Sequence, residues 1–182
     1  MAVYTTLDEL ALRAMLSVYD DEAELVRAEG VLAGSINTTY RIETDRGACF
    51  LRINEGKSTA DVLAERDVLR ALAGAPLGGV AIPEIKKTRV GGSFYLLEHR
   101  GGQPLWATIF AELPGRDLAI FEVDAGHTRQ IGRFLARAHL ALRGLRLWRP
   151  NPFGLPTVGR FVEELERHVE TSALAARLRG AL

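Results

Sequence analysis

Beyond Leu113-Pro114-Gly115 the hydrophobic period of this chain is helical only. Before that break, apolar and polar residues mostly alternate, as strands with one buried face require. After it, apolar residues recur at helical spacing. Strands come early and helices alone come late, which favours an α+β fold over an alternating parallel α/β arrangement. The break therefore divides the chain into residues 1–113 and 114–182.

In the first part, Leu7 to Tyr19 reads as a helix capped by Thr6. Glu24 to Ala33, Asn37 to Thr44 and Ala48 to Asn54 read as strands, the last two joined by a tight Asp45-Arg46-Gly47 turn. Ser58, with Asp61 three residues on, opens a helix to about Ala73 through a capping-box variant. Gly74 to Pro83 reads as a loop. Ile85 to Val90 and Ser93 to Glu98 suggest a second hairpin around Gly91-Gly92, and Gln103 to Glu112 a further strand. In the second part, Asp124 caps a helix to about Leu142, with Ile131, Leu135, Ala138 and Leu142 on one face, and Thr157 to about Leu178 is helical again.

Composition narrows the function classes. Hydrophobic residues make up 47% and charged residues 25% of the 182, the balance of an ordinary globular protein. Basic and acidic residues number 23 each, so there is no electrostatic footprint for nucleic acid. One cysteine, Cys49, excludes an intrachain disulfide framework and reads as a core thiol. The start of the chain has no signal-peptide pattern, and no apolar run approaches a membrane span. A cytoplasmic location is expected.

Three features early in the chain carry chemistry. The first is the glycine-bearing run Gly30 to Ile42, containing Gly34-Ser35-Ile36-Asn37. The second is Arg52, which shares a strand face with Phe50, while Cys49, Leu51 and Ile53 share the other. If the Leu51 face meets a helix and the core, the Arg52 face meets whatever lies under the sheet. The third is Glu65, on the same helical stripe as Val62 and Leu69. A carboxylate there is costly unless paired, so it calls for a cation. Glycine backbone near phosphates, a cation to meet their charge and a carboxylate to fix the cation are the parts of a kinase-type nucleotide lobe. The four histidines offer no helical metal pair; His139 reads as a core or interface residue, and Trp106 and Trp148 as packing.

Several stretches resemble the aminoglycoside phosphotransferase/choline kinase superfamily, which has a protein-kinase-like fold. They are Met1-Ala-Val-Tyr-Thr with the helix after it, Gly34-Ser-Ile-Asn37-Thr-Thr-Tyr40, Phe50-Leu-Arg-Ile-Asn-Glu55, Leu113-Pro-Gly-Arg116-Asp-Leu118, Ile131-Gly132 through His139-Leu-Ala, and Arg149-Pro-Asn-Pro-Phe153. Within it they are most similar to the kinase-like homoserine kinases. The resemblance implies an N-lobe of antiparallel sheet plus helix, followed by the first helices of a C-lobe. Gly34, Ser35 and Asn37 would line the triphosphate of ATP. Arg52 would stand where kinases usually keep a lysine, and Glu65 would be its partner. Phe110, Ala111, Glu112 and Leu113 would form the hinge that meets adenine.

The implied reaction is transfer of the γ-phosphoryl of Mg-ATP to the hydroxyl of homoserine, a step of threonine biosynthesis. An aminoglycoside, choline or sugar acceptor remains open, as does a catalytically empty nucleotide-binding module. Such kinases use a catalytic-loop aspartate, an asparagine and a metal-binding aspartate. No His-x-Asp-x-x-x-x-Asn pattern occurs here. The expectation is a piece that ends before its catalytic centre, with Mg²⁺ ligands in a missing C-terminal part that would pack on the 124–178 helices.

Overall fold

A computed structural model of the chain describes residues 4–20, 22–33, 36–98 and 104–147, with helical residues 159, 160, 163, 164 and 167 beyond them. By packing, the chain forms two compact units, Met1–Leu145 and Arg146–Leu182. The expected Thr157–Leu178 helix and Trp148 fall mostly or wholly outside the described residues.

The first unit contains α1 (Glu9–Tyr19), β1 (Leu25–Gly30), β2 (Thr38–Thr44), β3 (Gly47–Asn54), α2 (Thr59–Ala73), β4 (Tyr95–Leu97), β5 (Leu105–Ala111) and α3 (Ala125–Leu142). The strands form one antiparallel sheet in the order β1-β2-β3-β5-β4. Its alternation is the one read from the sequence. Ile42, Cys49, Leu51, Ile53, Ala107 and Ile109 point to one face and are almost fully buried. The helix that covers them is α1, through Leu12, Met15, Leu16 and Tyr19. Burial pushes the Cys49 thiol up, as a core thiol should be.

Helix α1 starts later than the sequence suggested. The cap is Asp8, whose carboxylate accepts the Ala11 N–H at 2.8 Å, not Thr6. Leu7 donates its N–H to the Tyr40 hydroxyl at 3.1 Å, which holds that residue outside the helix. For α2 and α3 the caps are as read: Ser58 and Asp61 form a reciprocal box, and Asp124 accepts the His127 N–H.

The second hairpin does not form. Lys86 donates to the Ile109 carbonyl at 2.8 Å and Ala111 to the Glu84 carbonyl at 2.9 Å, so residues 84–86 lie along β5. β4 pairs farther along the same edge of β5. Both arms satisfy β5, which would otherwise leave a row of unpaired backbone groups. The turn at Gly91, with φ of 82°, is an excursion within that edge.

Helix α2 lies on the sheet face opposite α1, with Val62 1% exposed beneath it. Leu72 at its far end and Leu77 just beyond it pack against Ala138, Phe134 and Leu142 of α3. The expected apolar face of α3 is thus covered at Ala138 and Leu142. Ile131 and Leu135 stay exposed, and so does His139, which sets aside the core half of its core-or-interface reading.

Candidate functional site

The face of the sheet beside α2 forms a cleft. Register places Thr39, Arg52 and Thr108 side by side across β2, β3 and β5, and Arg41, Phe50 and Phe110 in the next row. Glu65 and Leu69 of α2 form one wall, and the 110–117 segment closes the end. The cavity is about 670 Å³, within the range of small-molecule sites.

Arg52 and Glu65 meet as their spacing predicts, with Nη2 donating to Oε1 at 2.7 Å. A second cation shares the carboxylate: Lys57 Nζ lies 3.2 Å from Oε2. Two cations on one carboxylate leave this end of the cleft with net positive charge. The Arg52 guanidinium also lies 4.6 Å from the centroid of the Phe110 ring, a cation–π contact. Its Nε is buried with no hydrogen-bond partner. A buried orphan donor beside excess positive charge is unfavourable in the empty site and favourable once an anion arrives.

Burial alone would raise the Glu65 carboxyl, but the charge and hydrogen bond of Arg52, with those of Lys57, hold it below its ordinary value. The folded state therefore binds this proton less tightly than the unfolded chain, whose glutamates titrate near ~4.3. The stabilisation is complete above that unfolded value and is lost as the pH falls through it toward the folded one. We expect urea midpoints of the wild-type chain to fall more steeply below about pH 5 than those of Glu65→Gln. Parallel curves for the two proteins would show that the ion pair adds no stability.

The remaining expected residues divide. Gly34 and Ser35 lie outside the described residues. Asn37 is half-buried just before β2, with a buried Oδ1 that has no partner. Phe110 is buried with its ring in the cleft, and Ala111 gives its N–H to Glu84. Glu112 is held by a two-point bond from Arg41, with Nε at 2.7 Å and Nη2 at 3.2 Å. That bond keeps the Glu112 carboxyl below its usual range. Leu113 stands at the cleft rim.

Sequence reasoning missed Lys57 and Arg41. Lys57 had a local signal, since it directly precedes the Ser58 cap and so lies at the mouth of α2. Arg41 had none: its partner Glu112 is on the far side of β3. Among the described residues, no three His, Cys, Asp or Glu side chains are gathered to hold a metal ion. Another cavity, of about 490 Å³, lies behind α2. Of the cations that line it, Arg66 pairs with Asp67 at 2.8 Å and Arg70 reaches the Ser93 hydroxyl at 3.4 Å.

The antiparallel sheet, the helix lying across one face and the helix-borne carboxylate on a β3 cation define a protein-kinase-like N-terminal portion. The chain belongs to the phosphotransferase enzyme family, whose model matches residues 27–181. It is 30% identical to a homoserine kinase of Methylorubrum populi, covering all of this chain and 54% of that protein. It is 31% identical to one of Paraburkholderia phymatum, covering 96% of this chain and 53% of that protein. The chain thus spans about half the length of the curated relatives it matches. Among solved structures it resembles a microcompartment-associated aminopropanol kinase at 25% identity and TM-score 0.56, over 81% of this chain and 44% of that one. An amicoumacin kinase in complex with AMP-PNP and Ca²⁺ shares the fold at 16% identity and TM-score 0.59, over 79% of this chain and 42% of that one. No helix among the described residues is long and apolar enough to cross a membrane.

Proposed function

We propose that this chain is the ATP-binding part of a cytoplasmic kinase that phosphorylates the hydroxyl of homoserine. The observation that carries the reading is Arg52, with its unpartnered Nε and a carboxylate shared with Lys57, in a cleft of the right size. Arg52 and Lys57 would meet the phosphates, and Gly34, Ser35 and Asn37 would line them, as the family resemblance implies. Adenine would enter between Phe50 and the Phe110–Leu113 hinge. ATP supplies the phosphoryl group; these residues bind and orient it. An arginine presents a planar fork where a lysine presents a point charge, so the phosphates would be held at two points. The nucleotide lobe would span residues 1–113, and residues 114–182 would begin the second lobe. The Mg²⁺ ligands and the aspartate that orients the acceptor would come from the rest of that second lobe, packed on the 124–178 helices.

Homoserine is favoured as acceptor by the names of the relatives at about 30% identity. An aminoglycoside, choline or sugar acceptor is the second reading. The relative named for aminopropanol points, like homoserine, to a small amino alcohol. Isothermal titration of the chain with ATP should give saturable one-site binding that weakens as salt rises. The chain as it stands should form no ADP in response to homoserine, because placing the nucleophile and metal is most of phosphoryl-transfer catalysis. No ATP binding at millimolar nucleotide would sink the nucleotide reading. Homoserine-dependent turnover would show that the catalytic groups are already present.

A further inference from the structure

Thr38, the first residue of β2, is fully buried and its hydroxyl is saturated. Oγ1 accepts the backbone N–H of Tyr4 at 2.8 Å and of Thr5 at 3.0 Å, and donates to Oε1 of Glu55 at 2.8 Å. A threonine hydroxyl has two lone pairs and one proton. With both lone pairs taken, the proton goes to the Glu55 carboxylate. Tyr40 braces the same stretch: its hydroxyl accepts from the Leu7 N–H and donates to the Thr5 carbonyl, both at 3.1 Å. The N-terminal stretch thus sets the direction in which Thr38 donates.

Glu55 opens the turn between β3 and α2. Gly56 follows with φ of 62°, a left-handed conformation that a side chain would disfavour. Lys57 comes next, with its Nζ on Glu65. The Thr38 hydroxyl therefore holds the first residue of the turn that aims Lys57.

We propose that Thr38 is a positioning residue for the phosphate end of the cleft. It orients the 55–57 turn, and through it the Lys57 ammonium, while Tyr4–Leu7 clamps its hydroxyl in place. The functional consequence rests on the nucleotide reading above; the positioning itself does not.

The test compares Thr38→Val, which keeps the shape and loses the hydroxyl, with Thr38→Ser, which keeps the hydroxyl. ATP affinity is measured well below each protein's melting temperature, and the Glu65 carboxyl is titrated by NMR without nucleotide. Thr38→Val should weaken ATP binding about tenfold, the scale of one lost buried hydrogen bond. It should also raise the Glu65 titration point as Lys57 drifts away. Thr38→Ser should stay within about twofold on affinity and leave the titration in place. In a Lys57→Ala background the Thr38→Val effect should shrink below about twofold, because the two residues act through one path. If Thr38→Val fails to fold, Glu55→Ala removes the acceptor of the same hydrogen bond from a less buried position and supplies the same readouts. A melting-temperature drop with unchanged affinity and unchanged Glu65 titration overturns the proposal. Failure of the unsubstituted chain to bind ATP overturns the nucleotide reading alone, and the Glu65 titration then decides the positioning.

Discussion

Arg52→Ala should lower ATP affinity about a hundredfold, the equivalent of ~2.7 kcal/mol, as expected for charge-assisted hydrogen bonds from a partly buried guanidinium. The loss has two sources. One is the fork aimed at phosphate. The other is Glu65, which keeps only Lys57 and turns this end of the cleft from net positive to neutral. Arg52→Lys should recover part of the affinity, since it restores charge without the fork. Titration calorimetry at fixed ionic strength measures all three proteins. An alanine variant within about twofold of wild type would remove Arg52 from the phosphate site and leave it a packing contact on Phe110.

Leu51→Ala should destabilise the first unit by about 2–5 kcal/mol, the range for large-to-small changes in a closed core. Leu51 is 0% exposed at the centre of β3, between its neighbours on β2 and β5 and the apolar face of α1. The methyls it loses leave a cavity that three elements would have to collapse to fill. For a chain of this size the melting temperature should fall by about 10 °C. Ile120, 91% exposed, is the contrast: its alanine variant should melt within about 1 °C of wild type, since surface changes rarely exceed ~0.5 kcal/mol. A small shift for Leu51→Ala would mean that α1 is not the lid of the core.

Local signals carried most of this fold. Alternation in 37–54 placed Cys49, Leu51 and Ile53 inward and Arg52 outward, because side chains on a strand change face at every residue. The Ser58 and Asp124 caps were legible because a cap is a contact over three residues. What failed was non-local. Residues 85–90 and 93–98 looked like partners for each other, yet the edge of β5, about eight to twenty-seven residues on, claimed both. Thr6 lost the α1 cap because Tyr40, distant in sequence, held Leu7 outside the helix. At the candidate site the Arg52–Glu65 pair was readable, since a carboxylate on an apolar stripe needs a cation. The Arg41–Glu112 bond was not, because it spans three strands and neither residue departs from its local pattern.

The divided outer edge of the sheet also bears on how the protein behaves at high concentration. A long straight border strand offers a row of free backbone groups to any other chain, and is a route to strand-by-strand aggregation. Here that border comes in two short pieces, 84–86 and 95–97, separated by a turn whose Thr88 N–H bonds to Gly92 at 2.7 Å. A second molecule cannot zip along it without meeting the protruding loop. The opposite border, β1, is broken by a bulge between Leu25 and Arg27 and carries the charged pair Arg27 and Glu29. Both rims of the sheet are thereby made poor templates for edge-to-edge pairing with a second copy.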